Sequence, residues 1–451
     1  MLIPDLFPPP SAGRKPPVVG QLDQVRITNP KRGAGARKGW EGFFPYYAGY
    51  PEEFVIEAIK SLDLPNNSLV CDPWNGSGTT TSACTVLGLP SWGIDLNPAM
   101  VIVAKARLLP SSEADSLQPL CREILSRAKR WKREVRNDAL SAWFEEQTAG
   151  DIRRLEMSIR HHLIGGLAAT GSENRLLHMS TLAAAFYVAL FSTCRHYLGA
   201  FKTANPTWLR DGSRTDLRVS VPREVLHQHL AESIARMAKE LAKSNCSNAN
   251  SFCPSVLEVG DTSKFRFKPN SIDLVITSPP YCTRLDYVAS TRIELAVVQP
   301  WLSVSASQLS SQMTGTVKVP KVAPVLSDQW GNACIEFLNR VKCHPSKASD
   351  GYYFKNHTDY FDKLYRSMQN ISIALKAGGA GIFVVQDSFY KEIHNPLPDI
   401  LTEMAENLGL QRGERKNFPA NRSMSTVNLG SRAYRTHQVP TEAVACFSKP
   451  N

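Results

Sequence analysis

The sequence predicts an α/β protein, a sheet of mainly parallel strands covered by helices, on three observations. Leu69-Val70-Cys71 is a short apolar strand that runs into a glycine-rich turn, Asp72 to Gly78. About 20 residues later, the spacing seen in nucleotide-binding folds, a second strand, Ser91 to Ile94, ends in Asp95. A third strand, Ser271 to Ile276, ends in Thr277-Ser278-Pro279-Pro280-Tyr281. Strands that alternate with helices in this way form parallel sheets, which hold ligands at their carboxyl edge.

The glycine-rich turn, Asp72 to Gly78, indicates a ligand site. Gly76 and Gly78 lack a Cβ atom, so the backbone can turn tightly there and approach a ligand closely. The helix that begins with Thr79-Thr80 places the ligand at a helix N-terminus. Asp95 stands where open α/β sheets offer a carboxylate to ribose hydroxyls. Such a turn is common without a nucleotide, but together with Asp95 it predicts a cofactor that contains adenosine.

The second turn, Ser278 to Tyr281, is stiff because Pro279 and Pro280 fix φ and cannot continue a helix or a strand. It therefore presents a serine and an aromatic ring at the carboxyl edge of the sheet. By itself, a pair of prolines can also simply end a buried strand. The combination with the glycine-rich turn is much more specific.

At these residues the chain resembles the amino-methyltransferases of DNA, which use S-adenosylmethionine. That family carries an Asp-Pro-Phe-x-Gly-Ser-Gly-Thr loop and a Ser/Asp/Asn-Pro-Pro-Tyr catalytic loop, and both motifs are present here, with Trp74 in place of the usual Phe. Tyr50 to Ile56 resembles the helix before the glycine loop, and Ala377 to Val385 resembles the fifth strand. The resemblance covers about half of the chain.

The resemblance implies a Rossmann-like, seven-stranded class I methyltransferase sheet with a large helical insertion, and S-adenosylmethionine as the cofactor. Tyr50 and Pro51 would line the methionine end of this cofactor. Asp261 would face the adenine amino group, unless residues 261–263 form a plain turn. The expected cofactor contacts are Tyr50, Pro51, Asp72, Pro73, Trp74, Gly76, Ser77, Gly78, Thr79, Thr80, Asp95, Leu96 and Asp261.

The expected catalytic residues are Ser278, Pro279, Pro280 and Tyr281. An exocyclic amine attacks poorly because its lone pair is delocalised into the ring, so hydrogen-bond acceptors must orient it. Ser278 Oγ and the Pro279 carbonyl can accept the two amino hydrogens and aim the lone pair at the sulfonium methyl group. Tyr281 would stack on the target base, which must be flipped out of the duplex at a cost of about a few kcal/mol.

Two further residues are expected to contact the substrate. Arg284 and Tyr287 follow the catalytic loop closely enough to reach a base or a phosphate. For Arg284, an ion pair with Asp286 or Glu294 is an equally good interpretation.

The sequence disfavours methylation of cytosine at C5, because that reaction needs a cysteine that follows a proline, whereas Cys253 precedes Pro254. Within the resembled family, Ser in the catalytic loop is more typical of cytosine N4 and Asp of adenine N6. We therefore expect cytosine N4, with adenine N6 or an RNA amine as alternatives. A non-catalytic DNA-binding subunit and a nicotinamide oxidoreductase are less consistent, since both motif loops are intact and residues 76–81 lack the third glycine of G-x-G-x-x-G.

Composition is consistent with these expectations. The formal charge of +11 favours a polyanionic partner, which the resemblance identifies as double-stranded DNA. The 10 cysteines are scattered, without ligand spacing, so we expect no metal site and free thiols in a reducing cytoplasm. We find neither an export signal nor an apolar run long enough to cross a membrane. A restriction-modification system with a cognate endonuclease is a further possibility.

The remaining regions define the domain organisation that we expect. The apolar run 182–191 predicts a buried helix, and residues 302–357 look irregular and polar. Three basic regions are candidates for phosphate contact, namely residues 1–40, 122–136 and 415–435. The expected division is a basic irregular arm (1–40), the first part of the methyltransferase core (41–111), a helical insertion that is a candidate for DNA recognition (112–250), core with the catalytic loop (251–301), a second candidate recognition insertion (302–357) and the C-terminal part of the core (358–451).

Overall fold

The structure is a computed structural model, and it describes most of the chain. The described residues are 22, 25–31, 43–44, 49–62, 64–131, 138–165, 176, 178–203, 208–210, 212, 214–243, 253–282, 287–302, 304–419 and 440–451. Parts of the three basic regions lie outside these residues, namely most of 1–40, part of 122–136 and most of 415–435. Arg284 also lies outside them.

One sheet of seven strands organises the described residues. Its strands are β1 (Val70–Asp72), β2 (Ser91–Asp95), β3 (Ser255–Val259), β4 (Ile272–Thr277), β5 (Leu375–Gln386), β8 (Gln411–Pro419) and β9 (Thr441–Ser448). The strand order is β3-β2-β1-β4-β5-β9-β8, and a separate hairpin joins β6 (Ser388–Tyr390) to β7 (Ile393–Asn395). Neighbours among β1 to β5 are parallel, and β9 is antiparallel to both β5 and β8.

Some of the described α-helices cover the sheet and others form the insertion. They are α1 (Glu52–Ser61), α2 (Thr79–Leu87), α3 (Pro98–Arg107), α4 (Ala114–Ala128), α5 (Glu146–Leu163), α6 (Thr181–Tyr197), α7 (Arg223–Lys243), α8 (Arg292–Val298), α9 (Ala306–Gln312), α10 (Asn332–Cys343), α11 (Phe354–Ala374) and α12 (Leu397–Asn407). The predicted Rossmann-like, seven-stranded α/β fold with a large helical insertion is therefore confirmed. Among the described helices, none combines the length and the apolar character that a membrane span requires.

The sheet separates two apolar layers because successive side chains of a strand point to opposite faces. Val70 belongs to the layer with α1 and α2, whereas Cys71 belongs to the layer with α10, α11 and α12. The predicted cap of α3 is also present, since the Asn97 side chain accepts a hydrogen bond from Ala99 N at 3.0 Å and Pro98 is the first helical residue.

The helical insertion has a core of its own, which α3 and α8 share. The predicted buried helix is confirmed as part of α6. The buried Arg153 and the half-buried Arg195 tie the insertion to α8 and the residues just before it. Arg195 donates to the carboxylate of Glu294 and to Ser290 O at the start of α8, and Arg153 donates to Ala296 O and Val297 O near its end.

The prediction that residues 302–357 are irregular is wrong in part. The capping box of Ser305 and Gln308 begins α9, and α10 follows at Asn332–Cys343. The apolar side chains of α10 recur every three or four residues along one buried face, which is the pattern of an amphipathic helix. The division into domains stays a prediction.

Candidate active site

The glycine-rich turn between β1 and α2 is built around left-handed backbone. Gly76 has φ +49° and Gly78 has φ +83°, which side chains with a Cβ atom rarely adopt. A Cβ atom at Gly78 would lie 2.7 Å from the Cβ of Ala104 in α3. The turn therefore depends on glycine both for its conformation and for its close packing against α3.

Beneath the turn, Asp72 is a buried carboxylate with four donors. Oδ1 accepts from Thr277 Oγ1 at 2.6 Å and Trp74 N at 3.1 Å, and Oδ2 accepts from Thr80 Oγ1 at 2.7 Å and Tyr50 OH at 3.1 Å. Burial raises the pKa of Asp72, and these hydrogen bonds oppose that shift. The carboxylate thus joins the glycine-rich turn, α2, Tyr50 just ahead of α1 and the end of β4.

Asp95 holds the rim of the same turn. Its Oδ2 accepts from Gly76 N at 2.9 Å, and its Oδ1 accepts from Asn97 N at 2.8 Å. Loss of solvent raises the pKa of Asp95 to about 6, although both hydrogen bonds favour the charged form. Carboxylate oxygens have further lone pairs, so Asp95 can still accept from a ligand hydroxyl.

The stiff turn after β4 is held from behind by α11. Tyr360, which is buried in that helix, donates a 2.8 Å hydrogen bond from its hydroxyl to Pro280 O. The backbone of Tyr281 donates to the hydroxyl of Tyr287 at 3.1 Å, and the Tyr281 hydroxyl lies 3.5 Å from Glu442 Oε1. Burial raises the pKa of Glu442. Within the described part of the chain, Ser278 Oγ has no hydrogen-bond partner.

Both turns line one cleft of about 970 Å³ that opens to solvent. Its described lining contains no Lys, Arg or His side chain, although the whole chain carries a net charge of +11. Asp72, Asp95 and Asp261 are its only ionisable carboxylates among the described residues. Carboxylates without a cationic side chain in the described lining suit a cationic ligand.

Most of the residues expected to bind the cofactor line this cleft. They are Tyr50, Asp72, Trp74, Gly76, Ser77, Thr79, Asp95, Leu96 and Asp261, and they are joined by Ser278, Pro279, Pro280, Tyr281 and Tyr287. Pro51, Pro73, Gly78 and Thr80 do not line it. Thr80 instead donates a hydrogen bond to Asp72 from within α2, and Gly78 packs on α3. Both residues therefore act on the cleft by positioning the residues that line it.

The glutamate considered as a partner of Arg284 is engaged elsewhere. Glu294 is fully buried and its carboxylate accepts from Arg195 Nη2 at 2.8 Å. The pairing of Arg284 with Asp286 or Glu294 stays a prediction. Arg284 itself lies outside the described residues.

Several lining residues were not anticipated from the sequence. They are Gly49, Asn75, Asn97, Met100, Gly260, Thr262, Ser290, Met313 and Thr314. Asn75, Asn97 and Gly260 sit beside residues already singled out, so their proximity to the strand ends could have identified them. Met313 and Thr314 come from the region after α9, and no local pattern points to them.

Comparisons with known proteins find relatives at low sequence identity. No family model matches the sequence. The chain is similar to the type II methyltransferase M.BsoBI of Geobacillus stearothermophilus, with 21% identity over 409 residues that cover 81% of this chain and 77% of that protein. It is also similar to the type II methyltransferase M.AvaI of Nostoc sp. (strain PCC 7120), with 20% identity over 433 residues, 87% of this chain and 84% of that protein.

Solved structures give weaker likenesses. A DNA modification methylase of Thermus thermophilus covers 27% of this chain and 51% of its own, with 19% identity and a TM-score of 0.17. A geranyl diphosphate methyltransferase in complex with GPP and sinefungin covers 88% and 77%, with 7% identity and a TM-score of 0.30. At these TM-scores the two likenesses carry no conclusion about this chain.

Proposed function

We propose that this chain is an S-adenosylmethionine-dependent DNA methyltransferase that acts on the exocyclic amine of a flipped base, most specifically cytosine N4. The observation that carries the proposal is that the glycine-rich turn and the Ser278 to Tyr281 turn line one cleft. The relatives named above are type II methyltransferases, which supports the same class of reaction.

The chemistry of the cleft fits the cofactor. S-adenosylmethionine, when bound, supplies a methyl group activated by a sulfonium cation. A cleft lined by carboxylates and by no described cationic side chain suits such a ligand. Asp95 would accept from ribose hydroxyls, and Asp261 would accept from the adenine amine. The Asp261 carboxylate is oriented for this role by Ser263 N and Oγ, which donate to Oδ1 at 3.0 and 2.6 Å.

The catalytic turn provides the acceptors that the target amine needs. Ser278 Oγ and Pro279 O have no hydrogen-bond partner in the described residues, so both can accept an amino hydrogen. Pro280 O is bonded to Tyr360, and this bond keeps the turn in place. Preorganised acceptors cost no rearrangement when the amine arrives, and this is the largest contribution that such a turn makes.

Tyr281 would stack on the flipped base. Its backbone N–H donates to the Tyr287 hydroxyl, and its own hydroxyl lies 3.5 Å from Glu442 Oε1. Tyr281 is therefore held both at its backbone and at the tip of its ring. A ring that is already ordered loses little entropy when a base stacks on it. Tyr287 and Arg284 are proposed to contact the nucleic acid, and a companion restriction endonuclease stays a prediction.

Methyl transfer from labelled S-adenosylmethionine tests the proposal. Purified protein is incubated with unmethylated plasmid DNA or with transcribed RNA, and the nucleic acid is hydrolysed to nucleosides. We expect label in N4-methylcytosine from DNA. Label in N6-methyladenine would move the target to the alternative base, and label only in RNA would reject DNA as the substrate.

A further inference from the structure

An exposed strap, residues 318–326, leaves the wall of the cleft. Just before it, Met313 and Thr314 line the cleft, and Gly315 lies against the catalytic turn, since a Cβ atom there would be 2.9 Å from Tyr281 O. The strap is therefore continuous with the site at which the target base would be held.

The strap is anchored at both ends. Near its start, Thr316 O accepts from Asn356 at 2.6 Å, Val317 O accepts from Tyr352 OH at 2.8 Å, and Lys321 O accepts from Lys355 Nζ at 3.0 Å. Just beyond its far end the ring of Trp330 is only 2% exposed, so the chain returns into the core there.

The middle of the strap, residues 322–326, lacks such anchoring hydrogen bonds to the described residues. Pro320 and Pro324 limit its backbone freedom. Val322 is 81% exposed and Val325 is 90% exposed, far more than any other large hydrophobic side chain in the described residues. Two valines so exposed on a stiff, anchored segment form an apolar tip that no part of the described chain covers.

The charge around the tip favours a polyanion over an acidic or neutral protein surface. No Asp or Glu occurs in the sequence between Glu294 and Asp328, whereas Lys318 and Lys321 directly precede the tip. Lys318 Nζ donates to Ser307 O and Oγ at 2.7 and 2.6 Å, so Lys321 is the cation nearer in sequence to the two valines. Proteins that bend or open a duplex combine these two features, cations for the phosphates and an apolar wedge for the bases.

We propose that this strap packs against duplex DNA beside the flipped nucleotide, with Val322 and Val325 contacting the bases that extrusion exposes. This inference rests on the proposed function. The strap would stabilise the opened duplex, because the valines would replace the stacking that the flipped base gives up. It adds a partner-contacting surface that lies outside both motif loops.

The double variant Val322→Ala/Val325→Ala tests the strap, with Val86→Ala/Val225→Ala as the matched control, since those valines are 44% and 38% exposed and lie in α2 and α7. The substrate is a duplex oligonucleotide that carries the site mapped on plasmid DNA. We expect kcat/KM for methyl transfer to fall about tenfold in the strap variant, in proportion to lost stabilisation of the open duplex, and to stay within about twofold in the control.

A duplex with a mismatch at the target base separates a role in base flipping from a merely structural one. A mispaired base is already easier to extrude. The defect of the strap variant should therefore shrink to about twofold on this substrate. An equal defect on paired and mispaired duplexes, or no defect on either, overturns the proposal.

Failure of the proposed function gives a distinct result. If the wild-type protein transfers no methyl group to any duplex, both proposals are rejected together. If the wild-type protein methylates DNA and the strap variant does so equally well, only the strap proposal is rejected. As an independent readout, Lys321→Ala should reduce the salt dependence of DNA binding by about one phosphate contact, and an unchanged slope would count against the strap.

Discussion

The hydroxyl of Thr277 donates a 2.6 Å hydrogen bond to the carboxylate of Asp72. Thr277 is the last residue of β4, directly before the Ser278 to Tyr281 turn, and Asp72 is the last residue of β1 and the first of the glycine-rich turn. One buried hydrogen bond therefore connects the two turns that line the cleft.

We expect Thr277→Val to lower kcat about tenfold, because the catalytic turn loses its link to Asp72 while the frame around the cofactor keeps three donors. Stability should fall by about 1 kcal/mol. Isothermal titration with S-adenosylmethionine should give a Kd within about twofold of wild type. Thr277→Ser keeps the hydroxyl and is the control. Equal losses in cofactor affinity and in kcat would contradict this interpretation.

Ser278→Ala should reduce the rate of methyl transfer about a hundredfold, because the target amine loses one of its two acceptors. Since Ser278 Oγ bonds to no described residue, the variant should unfold at the same temperature as wild type and bind S-adenosylmethionine equally well. Single-turnover kinetics measure the rate. Ser126→Ala, at an exposed position of α4, is the control. Unchanged transfer by Ser278→Ala would rule out the assigned role.

Cofactor affinity should depend on pH through Asp95, whose pKa burial raises to about 6. Only the carboxylate can accept from both ribose hydroxyls, so the Kd for S-adenosylmethionine should be constant above about pH 7. Below about pH 6 it should rise by roughly tenfold for each pH unit. Titration calorimetry between pH 5 and pH 8 checks this, and Asp95→Asn should bind weakly at every pH. A flat profile for the wild-type protein would exclude the role of Asp95.

The raised pKa of Asp95 also makes the stability of the protein depend on pH. The pKa of Asp95 is higher in the folded than in the unfolded state, so its contribution to stability is complete at low pH and is lost as pH rises through about 6. Relative to Asp95→Asn, the wild-type apoprotein should therefore become more stable by about 1 kcal/mol between pH 7.5 and pH 5, after allowance for partial solvent contact. Urea unfolding at both pH values measures the difference. A stability advantage of wild type over Asp95→Asn that shrinks as pH falls would show that folding does not raise the pKa of Asp95.

Gly78 and Gly88 both have positive φ, so comparing them separates the cost of backbone strain from the cost of a steric clash. Gly78 and Gly88 have φ of +83° and +70°, but a Cβ atom meets Ala104 at 2.7 Å in the first case and nothing within 4 Å in the second. Gly88→Ala should cost about 1 kcal/mol of stability, from the backbone alone. Gly78→Ala should cost about 3 kcal/mol or more, because the α2–α3 contact must also open. Urea unfolding measures both, and similar losses would show that α3 yields easily.

The fold could be predicted from the sequence because its signals are local. Apolar strands that end in turns, the Asn97-Pro98 cap and the buried run of α6 each depend on neighbouring residues, and each is present. The error in residues 302–357 was avoidable, since Cys334, Phe337, Leu338 and Val341 already have helical spacing. Serines and prolines nearby obscured that pattern.

The site could be predicted only in part. Residues in the two turns follow from the motifs, but contacts made across the chain have no local signature. Tyr360 reaches Pro280, and Met313 reaches the cleft, from elements whose own sequences look like ordinary helix and loop. Asp72 shows that a motif does not fix the role of each of its residues. The motif identifies Asp72 as a cofactor contact, whereas in the structure its carboxylate accepts from four protein donors.

The hydrogen bonds from Arg153 and Arg195 to α8 and the residues just before it bear on how this protein could be re-engineered. Both arginines come from the helical insertion, and their partners, Ser290 O, Glu294, Ala296 O and Val297 O, lie at or beside α8. A chimera whose imported insertion lacks an arginine at the position of Arg195 would leave Glu294 as a buried charge without its guanidinium partner. Grafts of the insertion should therefore carry residues 290–298 along with it, as one transplanted unit.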